Sequence, residues 1–288
     1  MNYDRLLVKP GTKVSLKDHD PRYTAQYKDK IEAVEKLQQK VEQLEALQNV
    51  LYAENSHALL IVFQAMDAAG KDSTIKYVMS GVNPQGCQVY SFKAPSAEEL
   101  DHDYLWRSMR TLPERGRIGI FNRSYYEEVL VVRVHPELLD KQQLPPSARG
   151  EEIWQRRFEE INQFEKYLVR NGIIVLKFFL NVSKAEQKKR FLERIDRPEK
   201  NWKFSSADSK ERGHWDEYMQ AYEEMFNHTS TDAAPWYIIP ADRKWFTRLA
   251  VADIICSRLA ELNLQYPVLS EAQRQELLKA KEILENEA

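Results

Sequence analysis

Apolar and polar positions alternate in two ways along the chain. Short, continuously apolar runs occur in "HALLIVFQAM", "GCQVYSFKAP", "RIGIFNRS", "IIVLKFFLNVS" and "WYIIPA". Runs of that length, bounded by turn residues, predict five buried strands. Between them the apolar residues recur at threes and fours. From Lys28 to Asn55 the stripe is Ile31, Val34, Leu37, Val41, Leu44, Leu47 and Leu51, which predicts an amphipathic helix. Such a stripe serves either a core-facing helix or a short oligomer-forming one. A helix over about 70–81 follows the first strand. "SAEELDHDYLWRSMRTL" opens on a Ser with Glu three positions later, a capping box. "YYEEVLVVRV" reads as a short helix, and "EEIWQRRFEEINQFEKYLVRNG" as a long one stopped at Asn171-Gly172. "KAEQKKRFLERIDR", "KWFTRLAVADIICSRLAEL" and "SEAQRQELLKAKEILENEA" predict three more.

Helices alternating with continuously apolar strands indicate an α/β protein with a five-stranded parallel sheet flanked by helices on both faces. No internal repeat interrupts it. Residues 1–27, rich in Lys, Asp, Pro and Gly, read as an extended arm, and "LLDKQQLPPSARGEE" as a loop excursion. The expected division is an arm and helix over 1–55, a core over 56–265 with a lid near 190–215, and a C-terminal helix over 266–288.

Composition narrows the chemistry. The 288 residues are 43% hydrophobic and 30% charged, with a formal net charge of −2. Nothing in that balance favours nucleic acid or an anionic membrane, so any anion site is a local concentration of charge. The two cysteines, Cys87 and Cys256, sit in apolar runs and read as buried thiols. The six histidines show no paired spacing for zinc. No run reaches the length of a membrane span, and the opening residues lack a signal-peptide layout, so a cytoplasmic protein is expected.

The stretch "VFQAMDAAGKDST" carries the sharpest signal. A buried strand, a small-residue loop, Gly70-Lys71 and a helix start follow one another, the context of a phosphate-binding loop. Against G-x-x-x-x-G-K-[ST] it departs twice: Ala65 stands for the first Gly, and Asp72 for Ser/Thr. The backbone of Ala68, Ala69 and Gly70, with the first helical turn at Asp72 and Ser73, is expected to bind phosphate, and Lys71 to add a point charge. An acid inside such a loop repels phosphate unless a cation lies between, which argues for metal at Asp67. Asp72 either joins it or caps the helix. The third strand ends in "FNRS", placing Asn122 where such enzymes carry a metal-holding Asp. Asn122 can still coordinate or position water, without charge. Arg123 then points into the crevice at the carboxyl ends of the strands. Of Glu127 and Glu128, either is near the metal or both are helix surface. From Lys184 to Arg212 there are ten Lys/Arg against six Asp/Glu. Its centre, "DRPEKNWKFSSADSKERG", has no apolar period and reads as a flap that closes over phosphates.

Together "FQAMDAAGKDSTIK", "GVNPQGCQVYSFKAPS", "LWRSMRTLPERGRIGIFNRSYYEEVLVVRVHPE" and "FLERIDRPEKNWKFSSADSKERGHWDEYMQAYEEM" resemble the polyphosphate kinase type 2 family over most of residues 5–262. The resemblance implies a P-loop kinase fold similar to thymidylate kinase, with a helical lid. It implies reversible phosphoryl transfer between inorganic polyphosphate and purine nucleotides, with Mg²⁺ or Mn²⁺, in a homodimer or homotetramer. By matching position it gives Asp67, Lys71 and Arg123 as catalytic residues, with Asp67 and Asn122 toward the metal. It places Arg190, Arg194, Arg197, Lys200 and Lys203 in or beside the lid. Asn122 with "RSYYEEVLVVRVH" resembles the subgroup acting on both nucleoside mono- and diphosphates. The rival readings are an ATP-dependent nucleoside monophosphate kinase and a binding protein with a degenerate loop.

Overall fold

A computed structural model describes residues 4–150, 152–203 and 205–287. Five strands form one parallel sheet: β1 (Ala58–Gln64), β2 (Cys87–Ser91), β3 (Ile118–Asn122), β4 (Ile173–Asn181) and β5 (Trp236–Pro240), in the order β2-β3-β1-β4-β5. The helices are α1 (Lys30–Glu54), α2 (Lys71–Val78), the short α3 (Ala97–Leu100), α4 (Trp106–Met109) and α5 (Val131–Val134), α6 (Ile153–Arg170), α7 (Lys184–Asp196), α8 (Ser206–Glu211), α9 (Trp215–Thr229), α10 (Lys244–Ala260) and α11 (Glu271–Glu285). All five sequence-predicted strands are present, but the edge strand β2 is largely exposed rather than buried, and the stretch after the Ser96 capping box forms the two short helices α3 and α4 rather than one helix. The architecture is α/β with a P-loop kinase topology.

Parallel strands need crossovers, and the helices that make them cover the sheet. Alternate side chains of β4 part to opposite faces. Phe179 meets Tyr222 and Phe226 of α9, whereas Phe178 stacks beside Phe63 of β1 and Tyr237 of β5. α10 packs on α1 and α2, and α6 on α9. Asp29 caps α1 by accepting from the Ile31 and Glu32 amides, and left-handed Asn55 ends it. Leu37, Val41, Leu44 and Leu51 of the α1 stripe are buried, but Ile31 and Val34 stand exposed, and the first turns meet the core through Ala33 instead. The arm is not free of the core either. The Val8 amide donates to Trp236 O and the Ile238 amide to Leu6 O, adding an antiparallel bridge to the β5 edge. Among the described residues no helix is long and apolar enough to cross a membrane.

The lid region differs from its sequence reading. Instead of an aperiodic flap, it holds a 3₁₀ turn over Pro198–Lys203, then α8 and a second 3₁₀ turn over Arg212–His214. Local i→i+3 bonding requires no apolar period, which is why the pattern was silent.

One charge lies within the apolar run of β4. Lys177 Nζ donates to Glu165 Oε2 at 2.6 Å, Thr229 O at 2.7 Å and Tyr126 Oη at 2.8 Å, satisfying all three ammonium hydrogens with no solvent exposure. Tyr125 and Tyr126 both donate to Glu165 Oε1. The network ties β4 to α6, to α9 and to the turn that follows β3. Lys177→Met leaves the Glu165 carboxylate buried without its cation, and unfolding free energy falls by about 3–5 kcal/mol. Urea denaturation at neutral pH measures it.

Candidate active site

The loop after β1 is shaped by two left-handed residues, Ala68 (φ +61°) and Gly70 (φ +114°). Gly70 starts α2, and its φ is one that only glycine adopts freely. Ala65 is not among the positive-φ residues described, so no glycine is required where the usual motif has its first one. Lys71, the first residue of α2, folds back and donates from Nζ to Ala65 O at 2.9 Å. The lysine is buried, and burial, then Arg123, push its pKa down to about 8.

The two other departures from the usual motif face each other. Asn122 Nδ2 donates to Asp72 Oδ1 at 2.8 Å. Where P-loop enzymes pair a loop hydroxyl with a strand carboxylate around the metal, this chain has the carboxylate on the loop and the neutral group on the strand. Asp72 is therefore tied across the cleft, and α2 has no side-chain cap.

Register sets the third group. Phe63 of β1 lies opposite Asn122 of β3, and the Arg123 amide continues the ladder to Phe63 O at 3.0 Å. Arg123 then turns left-handed (φ +64°), a strained setting that recurs at functional sites. Its guanidinium donates to Asp67 Oδ1 at 2.6 Å and Glu127 Oε2 at 3.1 Å, and Glu127 foremost holds its pKa above the ordinary value. Glu128 does not face the loop. It is buried, accepts from Arg157 Nε at 3.1 Å and from Gln142, and its carboxyl is pushed up by burial.

These residues line a cleft of about 690 Å³ at the carboxyl ends of the strands. Asp67, Ala68, Gly70, Lys71, Asp72 and Ser73 form one wall, and Asn122 and Arg123 stand beside them. Arg194, Lys200 and Trp202 approach from the lid side. Lys93 after β2 and Lys244 at the start of α10 also line it. Sequence reasoning missed both; the one available signal was a lysine following a strand end. Ala69 does not line the cleft. Arg197 is exposed and pairs with Glu199 outside it, with Nε 2.7 Å from Oε1. The Lys203 side chain lies outside the described residues. Arg190 also lines the cleft, and its guanidinium hydrogen-bonds to backbone carbonyls and Glu186.

A second cavity of about 320 Å³ adjoins the cleft, sharing Lys93 and Arg123. Pro95, Leu100, Val131, Val132 and Leu138 make it mostly apolar, and Lys141 and Gln142 close it. The "LLDKQQLPPSARGEE" excursion is thus one wall of a pocket.

The family profile described as Polyphosphate kinase 2 (PPK2) matches residues 27–267, the span that holds both cavities. The chain belongs to that family. It is 52% identical over 278 residues, 96% of each chain, to an ADP-polyphosphate phosphotransferase of Rhodopseudomonas palustris. It is 46% identical to an AMP/ADP-polyphosphate phosphotransferase of Meiothermus ruber, covering 90% of this chain and 94% of that one. The crystal structure of polyphosphate kinase 2 from Arthrobacter aurescens TC1 superposes with a TM-score of 0.85 at 38% identity, covering 94% and 95% of the two chains.

The Lys71 environment sets a pH dependence in this family member. Its pKa of about 8 lies below the ordinary 10.5, so burying the ammonium costs stability below pH 8. That cost fades as pH rises toward 10.5. A bound polyanion favours the ammonium, so binding above about pH 8 takes up a proton and affinity falls as pH rises. Calorimetry with tripolyphosphate in two buffers of different ionisation enthalpy reads the uptake.

Proposed function

We infer that this polyphosphate kinase 2 family member is a polyphosphate-dependent nucleotide phosphotransferase. Inorganic polyphosphate lies along the larger cleft under the lid, and the nucleoside occupies the smaller apolar cavity. The observation that carries the reading is the junction of the two at Lys93 and Arg123. A donor phosphate held by the loop and an acceptor phosphate of a nucleotide in the apolar cavity meet there. Both substrates are anions, and the terminal oxygen of the acceptor is ionised at neutral pH. Chemistry then rests on alignment and charge neutralisation. Lys71 and Arg123 neutralise the moving phosphoryl group, while Arg194 and Lys200 hold the chain that remains.

The donor set suits Mg²⁺ or Mn²⁺. Asp67, Asp72, Glu127 and Asn122 present hard oxygens around the cleft. Among the described residues no three acidic, histidine or cysteine side chains form a cage of their own. Mg²⁺ is characteristically held by one or two carboxylates together with substrate phosphates and water. Bound at Asp67, it would supply positive charge between donor and acceptor oxygens. The acceptors are ADP, which both relatives' names carry, and AMP, which the name of the Meiothermus ruber relative adds.

The deciding assay combines purified protein, Mg²⁺ and polyphosphate without ATP, offering ADP and AMP separately. ATP forms from ADP, and ADP then ATP from AMP. Turnover only with ATP plus a nucleoside monophosphate overturns the reading in favour of an ordinary nucleotide kinase.

A further inference from the structure

Three consecutive carbonyls of the phosphate loop are held by one helix, α7, whose Arg190 also lines the cleft. Gln187 Nε2 donates to Asp67 O at 3.0 Å, and Arg190 donates to Ala68 O at 3.0 Å and Ala69 O at 2.7 Å. The rest of the Arg190 fork goes to Ala241 O at 2.7 Å, Asp242 O at 3.2 Å and Glu186 Oε1 at 2.9 Å. Five guanidinium hydrogens thus face five acceptors, and Arg190 is only 5% exposed. A planar trans peptide sets C=O and N–H on opposite sides. Tethering these carbonyls toward α7 therefore turns the amides of Ala68 and Gly70, two residues that line the cleft, away from α7, while the Ala69 amide donates to Met66 O at 3.3 Å.

The same helix is one root of the lid. Arg212, at the other root, donates to Gln187 Oε1 at 2.7 Å and to Lys184 O at 2.8 Å. One amide side chain therefore touches the loop with its nitrogen and the lid's far root with its oxygen. Gln187, Arg190 and Arg212 lie within the basic segment that the sequence suggested for phosphate contact.

We propose that Gln187 and Arg190 are positioning residues that aim the amides of the phosphate loop, and that the Arg212–Gln187 bond couples the lid to that aim. The inference rests on reading residues 65–70 as the phosphate cradle. It requires that removing either bond lower turnover by disordering the amides rather than by deleting a phosphate contact.

Hydrogen–deuterium exchange at residues 68–71, with and without inorganic tripolyphosphate, separates the two ideas. In the wild-type protein tripolyphosphate slows exchange there; if it does not, the cradle reading itself fails. In Gln187→Met and Arg190→Lys, both similar in bulk, that protection is lost. Turnover falls roughly ten- to a hundred-fold, the scale of a misplaced reacting group, with little change in KM for ADP. Retained protection combined with weaker tripolyphosphate binding makes Arg190 a direct phosphate ligand and overturns the proposal, as does wild-type turnover in both variants. Gln187→Met alters no charge on residue 187 itself, so it decides the matter if Arg190→Lys does not fold. Arg212→Met lowers turnover by the same route. The double variant Arg212→Met/Gln187→Met is then no slower than Gln187→Met alone, and additive losses overturn the coupling.

Discussion

Lys71→Met lowers phosphoryl transfer at least about a hundred-fold, the loss typical of deleting one preorganised charge contact in a desolvated site. The argument starts from burial. Lys71 Nζ has one recorded partner, the Ala65 carbonyl at 2.9 Å, in a setting that disfavours its charge. An ammonium kept there at a cost gains most when an anion arrives, so its electrostatic energy is delivered to bound phosphate rather than to the fold. Methionine matches the volume and removes the charge. The variant should therefore unfold no more readily than the wild type at neutral pH, while single-turnover transfer from polyphosphate to ADP collapses. A folded Lys71→Met protein within about tenfold of the wild-type rate removes Lys71 from the machinery.

Asp67→Ala has an effect of similar size, at least about a hundred-fold, for a different reason. Asp67 is a counter-ion of Arg123 at 2.6 Å, with Glu127 at 3.1 Å on the same guanidinium. On the proposed reading a divalent cation would be held by Asp67, which would leave Arg123 available to phosphate. Without Asp67 the cation loses its loop anchor, and Arg123 keeps Glu127 as its counter-ion. The rate loss should come with weaker Mn²⁺ binding, measured by electron paramagnetic resonance in the presence of tripolyphosphate. Unchanged Mn²⁺ affinity together with a near-normal rate would show that Asp67 is only the partner of Arg123.

Much of this was legible in the chain. Five continuously apolar runs separated by periodic helices specify a covered parallel sheet, because only strands buried on both faces lack alternation. The small residues before Gly70-Lys71 pointed to a strand-to-helix junction as the candidate anion site, because helix amides and a lysine converge at such a junction, and the fold places buried Lys71 at that junction. The basic excess over 184–212 marked the segment that overhangs the cleft. Asp67 and Arg123 were recognisable as residue types and positions, though not as each other's ion-pair partner.

What the sequence left open concerned contacts between distant segments. Ala65 and Asp72 read as defects of a motif. The fold shows that Ala65 needs no left-handed backbone and that Asp72 is matched by Asn122, fifty residues away. Arg190 had the right charge for phosphate and lines the cleft, but only the fold shows its donors directed to the loop, to the carbonyls of Ala241 and Asp242 just after β5, and to Glu186. The pocket wall at Leu138–Gln142 carried no period, because loops that line cavities are selected for shape rather than repetition. Local patterning thus determined the elements, the loop and the sign of the charge. Tertiary packing alone decided which charges face the cleft and which are spent holding it in shape, since that depends on which distant carbonyls and carboxylates the crossovers bring within hydrogen-bonding distance.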